Sequence, residues 1–292
     1  MAPVRIGAVT YLNARPLVYG LEQFPRFDVR FDLPARCAEL LHGGETDLGL
    51  IPSIEYLRGP GGPSAYRVVP DVAITSNGPV TSVAIYTTRD IRDVRSIALD
   101  TSSRTSVALT RVMCARAFGI APAFVPHGPD LPAMLALADA ALVIGDNALF
   151  LDGGPQVVGE GAGARVADVQ KIDLGELWLR TTGLPFVYAF WVGRADALDA
   201  ADVRTLQAVR DASLRRTREI AEAYYPGDPA RQAVADRYLR DNIKYRLGAD
   251  ERAGVERFYH YAAELGLVPE AVAPTYYESR DESADTARQQ VQ

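Results

Sequence analysis

Between Thr101 and Ser106 the chain reads Thr-Ser-Ser-Arg-Thr-Ser, five hydroxyl side chains and one arginine in six positions. Ahead of them an apolar strand pattern, 96–99, ends in Asp100; behind them Val107, Val112 and Ala115 recur at helical spacing. A strand that passes through serine and threonine into a helix start gathers unpaired backbone N–H groups, hydroxyl donors and the positive end of a helix dipole. That set suits a carboxylate or a phosphate. A plain helix cap needs one hydroxyl, whereas Ser102, Ser103, Thr105 and Ser106 stand together with Arg104.

Other polar loops follow other strand patterns. Asn13 follows the first strand and Ser53 the third; Ser76, Gly78 and Val80 form a tight turn after a fourth; Gly145 and Asp146 follow the apolar run 140–144. Amides, hydroxyls and backbone donors at strand ends make a recognition surface for a polar, anionic small molecule. Arg15, just before Pro16, reads either as solvated surface or as a clamp on a carboxylate. Asp146 reads either as an acid or base or as the cap of the next helix, and Asp173 with Trp178 reads as an anchor for the returning chain.

The elements that must position these loops alternate. Strands at 4–9, 27–32 and 47–51 enclose a short helix through 17–21 and a longer one from Pro34 to about His42, where Gly43-Gly44 stop it. Further strands are expected at 69–75, 81–87, 96–100, 123–125, 140–144 and 186–192, with helices at 105–118 and 130–138. The β-α-β order argues for an α/β doubly wound sheet, which binds ligands at the carboxyl ends of its strands. Residues 152–164 are glycine-rich and read as loop around one short strand. One long charged helix from Asp199 to Tyr225 and two more at 229–240 and 250–265 follow, and 278–292 reads as a polar, loosely attached tail. Two long strands bracketing a central α/β block fit a two-lobed clamshell that the chain crosses twice, or two sequential domains. The clamshell would have lobes of 1–84 with 187–292, and of 85–186.

Composition excludes several classes. At 292 residues and a net charge of −6, the chain lacks the basic excess of a nucleic-acid binder. No apolar run approaches the roughly 18 residues of a membrane span, and the first residues lack the pattern of an export signal, so a cytoplasmic protein is expected. His42, His127 and His260 are scattered with no metal spacing, so no metal site is expected. Glycine-rich nucleotide loops and the G-x-S-x-G elbow are absent, so no cofactor is expected. Cys37 and Cys114 read as reduced core residues. The terminal helices offer a surface for a homodimer.

Five stretches in this order carry a resemblance: Tyr11-Leu12-Asn13; Asp47 to Tyr56; Gly78 to Val83; Leu99 to Leu109; and Thr181 to Val187. Together they resemble the chorismate dehydratase family of the futalosine route to menaquinone, over residues 4 to about 192. The resemblance implies a type-2 periplasmic-binding-protein fold used as a cofactor-free enzyme. It also implies conversion of chorismate to 3-[(1-carboxyvinyl)oxy]benzoate with loss of water. For that chemistry the hydroxyl run would hold one substrate carboxylate, and Asn13, Ser53 and the 76–80 turn would hold the other or orient the leaving hydroxyl. The substrate's own enolpyruvyl carboxylate would take the proton with Asn13 positioning the groups, and Asp146 is the alternative base. A binding protein for a small carboxylate on the same fold, or a related step on a larger nucleoside, are the rival readings.

Overall fold

In the first strand, β1 (Val4–Val9), every residue but Arg5 is buried, as expected of a strand flanked on both edges and covered on both faces. It pairs in parallel with β2 (Phe27–Asp32) on one side and β3 (Leu48–Pro52) on the other. Helix α1 (Pro34–His42) makes the crossover, with proline in its first turn and Gly43 at its end. The computed structural model describes residues 2–159 and 164–278.

The chain then runs through β4 (Tyr66–Ser76) and leaves for a second sheet. There it forms β5 (Val83–Thr87), β6 (Ser96–Asp100), α2 (Arg104–Met113), β7 (Ala123–His127), α3 (Leu131–Leu137), β8 (Ala140–Ile144), the one-turn helix α4 (Gly145–Leu149), β9 (Gly154–Val158) and β10 (Arg165–Asp173). Helix α5 (Leu174–Thr182) leads back to β11 (Phe186–Arg194) in the first sheet. The two sheets have the orders β2-β1-β3-β11-β4 and β7-β6-β8-β5-β10-β9. Two lobes and two crossings are thus built as the sequence pattern suggested. Four helices close the fold: α6 (Ala200–Ser213), α7 (Thr217–Tyr224), α8 (Pro229–Arg237) and α9 (Ala249–Glu264).

Three elements differ from the sequence expectation. The expected helix at 17–21 is a 3-10 turn at Leu12–Leu17 and a second at Leu21–Gln23, since Pro16 supplies no N–H for an α-helical bond. The expected helix 199–225 breaks at 214–216, where no proline or glycine stands. Packing breaks it instead: Thr217 donates to Asp236 of α8 at 2.7 Å and turns α7 onto that helix. Strand β10 and helix α5 were not expected, because most β10 side chains are exposed or half-exposed and show no apolar alternation. The expected tail, apart from its first residue, lies outside the described residues, as does 160–163 of the glycine-rich segment.

Trp178 of α5 is fully buried and meets Phe186 edge-on at 5.1 Å between centroids and Phe258 of α9 at 6.1 Å, so it does anchor the returning chain. Cys37 and Cys114 are free and buried, and burial pushes both thiols up to about 12. Among the described residues no helix is long and apolar enough to cross a membrane.

At the base of the first sheet Asp47 accepts from Arg5 at 2.8 Å and from Arg194 at 2.9 Å. The Arg5 hydrogen bonds chiefly hold its carboxyl well below the usual aspartate range. A lowered folded-state value stabilises the protein above the ordinary aspartate value of about 4, and that stability is lost as the pH falls through the folded value. Asp47→Asn is therefore expected to lower Tm at neutral pH and to flatten the acid limb of a Tm–pH curve. An unchanged acid limb would rule out Asp47 as a contributor.

Candidate active site

The carboxyl ends of β1, β3, β4, β6 and β8 converge where the two lobes meet, and there they line a cavity. Its polar lining comes from Tyr11, Asn13, Ser82, Ser103, Ser106 and Tyr188, and Gly145 gives it backbone. The remaining wall is apolar, with Val9, Pro34, Ile74 and Ile144 among its residues. Among the described residues, no carboxylate, amine, guanidinium or imidazole lines it.

Asn13 is held in the turn after β1, and its Oδ1 is buried with no hydrogen-bond partner. A buried amide oxygen facing a cavity is a group built to receive a donor. Nearby, the Tyr238 phenol shares a 2.7 Å hydrogen bond with Ser82 and is pushed up by burial. Ser103 caps α2: its Oγ accepts from the Ser106 N–H at 3.4 Å and lies 3.1 Å from the Ser106 Oγ. These two hydroxyls stand three residues apart on one helical face, beside first-turn N–H groups that have no intrahelical acceptor. That corner can bind a carboxylate with neutral donors alone.

The crossover turn is fixed from the other lobe. Asp173 caps α5 and also accepts from the Val80 N–H at 3.0 Å and the Thr81 N–H at 2.6 Å. This holds Thr81 at a φ of 61°, a strained value for a β-branched residue, and places Val80 in the cavity wall. Gly78, at φ 120°, takes a conformation that favours glycine, and Ser76 sits one layer back, 3.1 Å from the Tyr188 hydroxyl.

Of the residues singled out in the sequence, Asn13, Val80, Ser103, Ser106 and Gly145 reach the cavity and several others do not. Ser53 is fully buried behind it and donates to the Val187 carbonyl at 2.8 Å. Thr105 accepts from the Ile54 N–H at 3.2 Å and so stitches α2 to the first lobe. Ser102 donates to Asp100 at 2.7 Å and accepts from Tyr11 at 3.0 Å. Arg104 turns the opposite way and binds Glu55 and Glu39, each at 2.7 Å. Arg15 lies outside the cavity, its guanidinium over the rings of Phe31 (4.6 Å) and Tyr224 (5.1 Å). Asp146 lies one residue past the wall, where its carboxylate accepts from the Leu12 N–H at 3.2 Å and from the Tyr224 hydroxyl.

A family model described as menaquinone biosynthesis matches residues 4–264. The chorismate dehydratase of Thermus thermophilus is 32% identical over 95% of this chain and 99% of its own. The chain belongs to the chorismate dehydratase family of menaquinone biosynthesis. Solved structures are more distant in sequence and share the fold. Protein AF1704 of Archaeoglobus fulgidus has a TM-score of 0.69 at 16% identity, over 91% of this chain and 99% of its own. The alkanesulfonate-binding protein SsuA of Xanthomonas axonopodis has 0.62 at 18%, over 94% and 96%. The fold is that of periplasmic binding proteins.

Within this family's fold, three cavity-lining residues and one tyrosine behind the wall, Tyr238, escaped the sequence reading. Ser82 stands inside the quoted Gly78–Val83 stretch, so the signal was present but unassigned a role. Tyr188 sits in a strand that reads as core, and Tyr238 comes from the C-terminal helical region, 156 residues from its partner Ser82. Tyr11 stands in the Tyr-Leu-Asn motif, but nothing in its spacing shows that it reaches Ser102 of the other lobe.

Arg104→Ala tests the division between wall and exterior. Glu55, whose side chain is 2% exposed, would keep only Arg58 as an ion-pair partner among the described residues, so Tm should fall. KM for the substrate proposed below should stay within about threefold. A far larger rise in KM would put Arg104 in contact with the substrate.

Proposed function

We propose that this protein removes water from chorismate to give 3-[(1-carboxyvinyl)oxy]benzoate. The observation that carries the reading is the match to the Thermus thermophilus dehydratase along nearly the whole of both chains. The site is consistent with it. Chorismate brings two carboxylates, and the Ser103–Ser106 corner with the first turn of α2 offers neutral donors to one of them. Asn13, Ser82 and the 76–80 turn are placed to hold the rest of the molecule and the leaving hydroxyl.

The reaction breaks the ring C–H beside the ether oxygen and the ring C–OH bond. The electron pair of the C–H bond enters the ring, which becomes aromatic, and the departing hydroxyl leaves as water with a proton. A base must take the ring proton, and among the described residues the cavity wall supplies no carboxylate or imidazole. Asp146 accepts from Leu12 and Tyr224. Both points favour a base carried by the substrate, its own enolpyruvyl carboxylate, with Asn13 orienting the reacting groups. The lobes, proposed as 1–84 with 187–292 and as 85–186, would exclude water as they close, and the strand content of the two sheets supports that division. A cytoplasmic site of action follows from the biosynthetic role.

The test is incubation of the purified protein with chorismate, without added metal or cofactor, followed by chromatography and mass spectrometry. The expected product is lighter than chorismate by one water. Unchanged chorismate with a raised Tm would make this a binding protein for the same acid, and no turnover with no shift would remove chorismate as its ligand.

A further inference from the structure

The turn that carries Asn13 is held by groups from two distant parts of the chain. Leu12 donates its N–H to Asp146 Oδ1 at 3.2 Å, so a residue of the first lobe is gripped by the start of α4 in the second. The other oxygen, Oδ2, accepts from the hydroxyl of Tyr224, the last residue of α7. That hydroxyl also lies 3.1 Å from the Thr10 carbonyl, two residues before Leu12. Arg15 donates to the same carbonyl at 3.1 Å and lies over the Tyr224 ring, bracing the phenol from behind. A second grip falls on the adjacent residue: Tyr11 donates to Ser102 at 3.0 Å, and Ser102 donates to the buried Asp100.

Residues 11 and 12 are thus locked across the cleft, while the oxygen of residue 13 is left unpartnered at the cavity. A network of this kind fixes a backbone segment only while the lobes are together, because its donors and acceptors come from both.

We propose that Tyr224 and Asp146 are a positioning pair for the elimination, clasping the Tyr11–Asn13 turn across the cleft so that the Asn13 side chain is presented to the substrate. The pair acts through the turn and touches no reacting atom. This inference rests on the dehydratase reading, in which Asn13 orients the reacting groups. It also gives Arg15 a different task from a substrate clamp, that of support for Tyr224.

The experiment compares the wild type with Tyr224→Phe, Asp146→Asn and the double variant. It measures kcat and KM for chorismate and, in the ligand-free protein, amide exchange at Leu12 by NMR, with Leu50 in the core strand β3 as reference. Tyr224→Phe is expected to lower kcat by about tenfold or more while KM stays within about threefold. The double variant should be no slower than the slower single variant, as for residues that act as one unit. Leu12 should exchange about tenfold faster or more, with Leu50 unchanged.

The pair is overturned by a Tyr224→Phe enzyme with kcat within about twofold of wild type, or by losses that multiply in the double variant. Equal acceleration at Leu12 and Leu50 would show simple loss of stability and overturn it as well. If the wild type itself leaves chorismate unchanged, the dehydratase reading fails first, and the Leu12 exchange then decides separately whether the clasp exists.

Discussion

Asn13→Ala is expected to lower kcat for chorismate by about 10²–10³, the usual cost of removing one preorganised polar group from a reacting centre. Its Tm should move little. The Asn13 Oδ1 has no partner among the described residues, so its loss removes no acceptor that the fold uses; what the fold loses is the side chain's contact with the Tyr238 hydroxyl. Asn13→Asp keeps the shape and adds a negative charge to a wall that otherwise has none, opposite a substrate with two carboxylates. Its KM should rise in addition to the fall in kcat. Steady-state kinetics of both variants with a melting curve for each would check this. An alanine enzyme within about threefold of wild-type kcat would remove Asn13 from the chemistry and reopen the search for the orienting group.

Much of the frame was legible in the sequence because its signals are local. Helix α1 begins at Pro34 and ends at His42 as its proline and glycines require, and β8 is an unbroken apolar run over its whole length. The site was half legible. The hydroxyl run announced an anion-binding helix start, yet only Ser103 and Ser106 reach the cavity, because the N-cap and third position share one face of α2. Arg104, between them, points to Glu39 and Glu55, and their approach depends on how α1 and the turn after β3 pack. Charge attracted attention to Arg15, Arg104 and Asp146, whereas the cavity wall is built from neutral groups. Tyr188 could not be found from spacing, since nothing local distinguishes a buried tyrosine at a cavity from one in a core. The break at 214–216 was hidden for a related reason: the residues there favour a helix, and a tertiary hydrogen bond from Thr217 prevails over that propensity.

Gly145→Ala should damage function more than it damages the fold. Gly145 has a φ of +63°, a left-handed conformation that costs an L-residue about 1–2 kcal/mol. Its backbone also faces the Tyr11 ring, and an added Cβ would lie 3.2 Å from three ring carbons. Tyr11 cannot yield without strain on its bond to Ser102, and moving it shifts the turn that carries Asn13. The methyl therefore presses on Tyr11 at the point where the two lobes meet, and the ring has to give by a few tenths of an ångström. The backbone cost alone should lower Tm by a few degrees. The larger effect should be on function: kcat/KM for chorismate is expected to fall by about 10² or more, since a small misplacement of positioning groups is enough for such a loss. The thermal shift produced by saturating product should shrink with it, because a displaced Tyr11 ring disturbs the cavity wall. Gly183 supplies the comparison. It has a φ of +73° with open space around its Cα, so Gly183→Ala carries the same backbone cost without the contact. If the two variants lost Tm alike but only Gly145→Ala lost turnover, contact with Tyr11 would be the cause; equal turnover in both would show that the lobes tolerate the methyl.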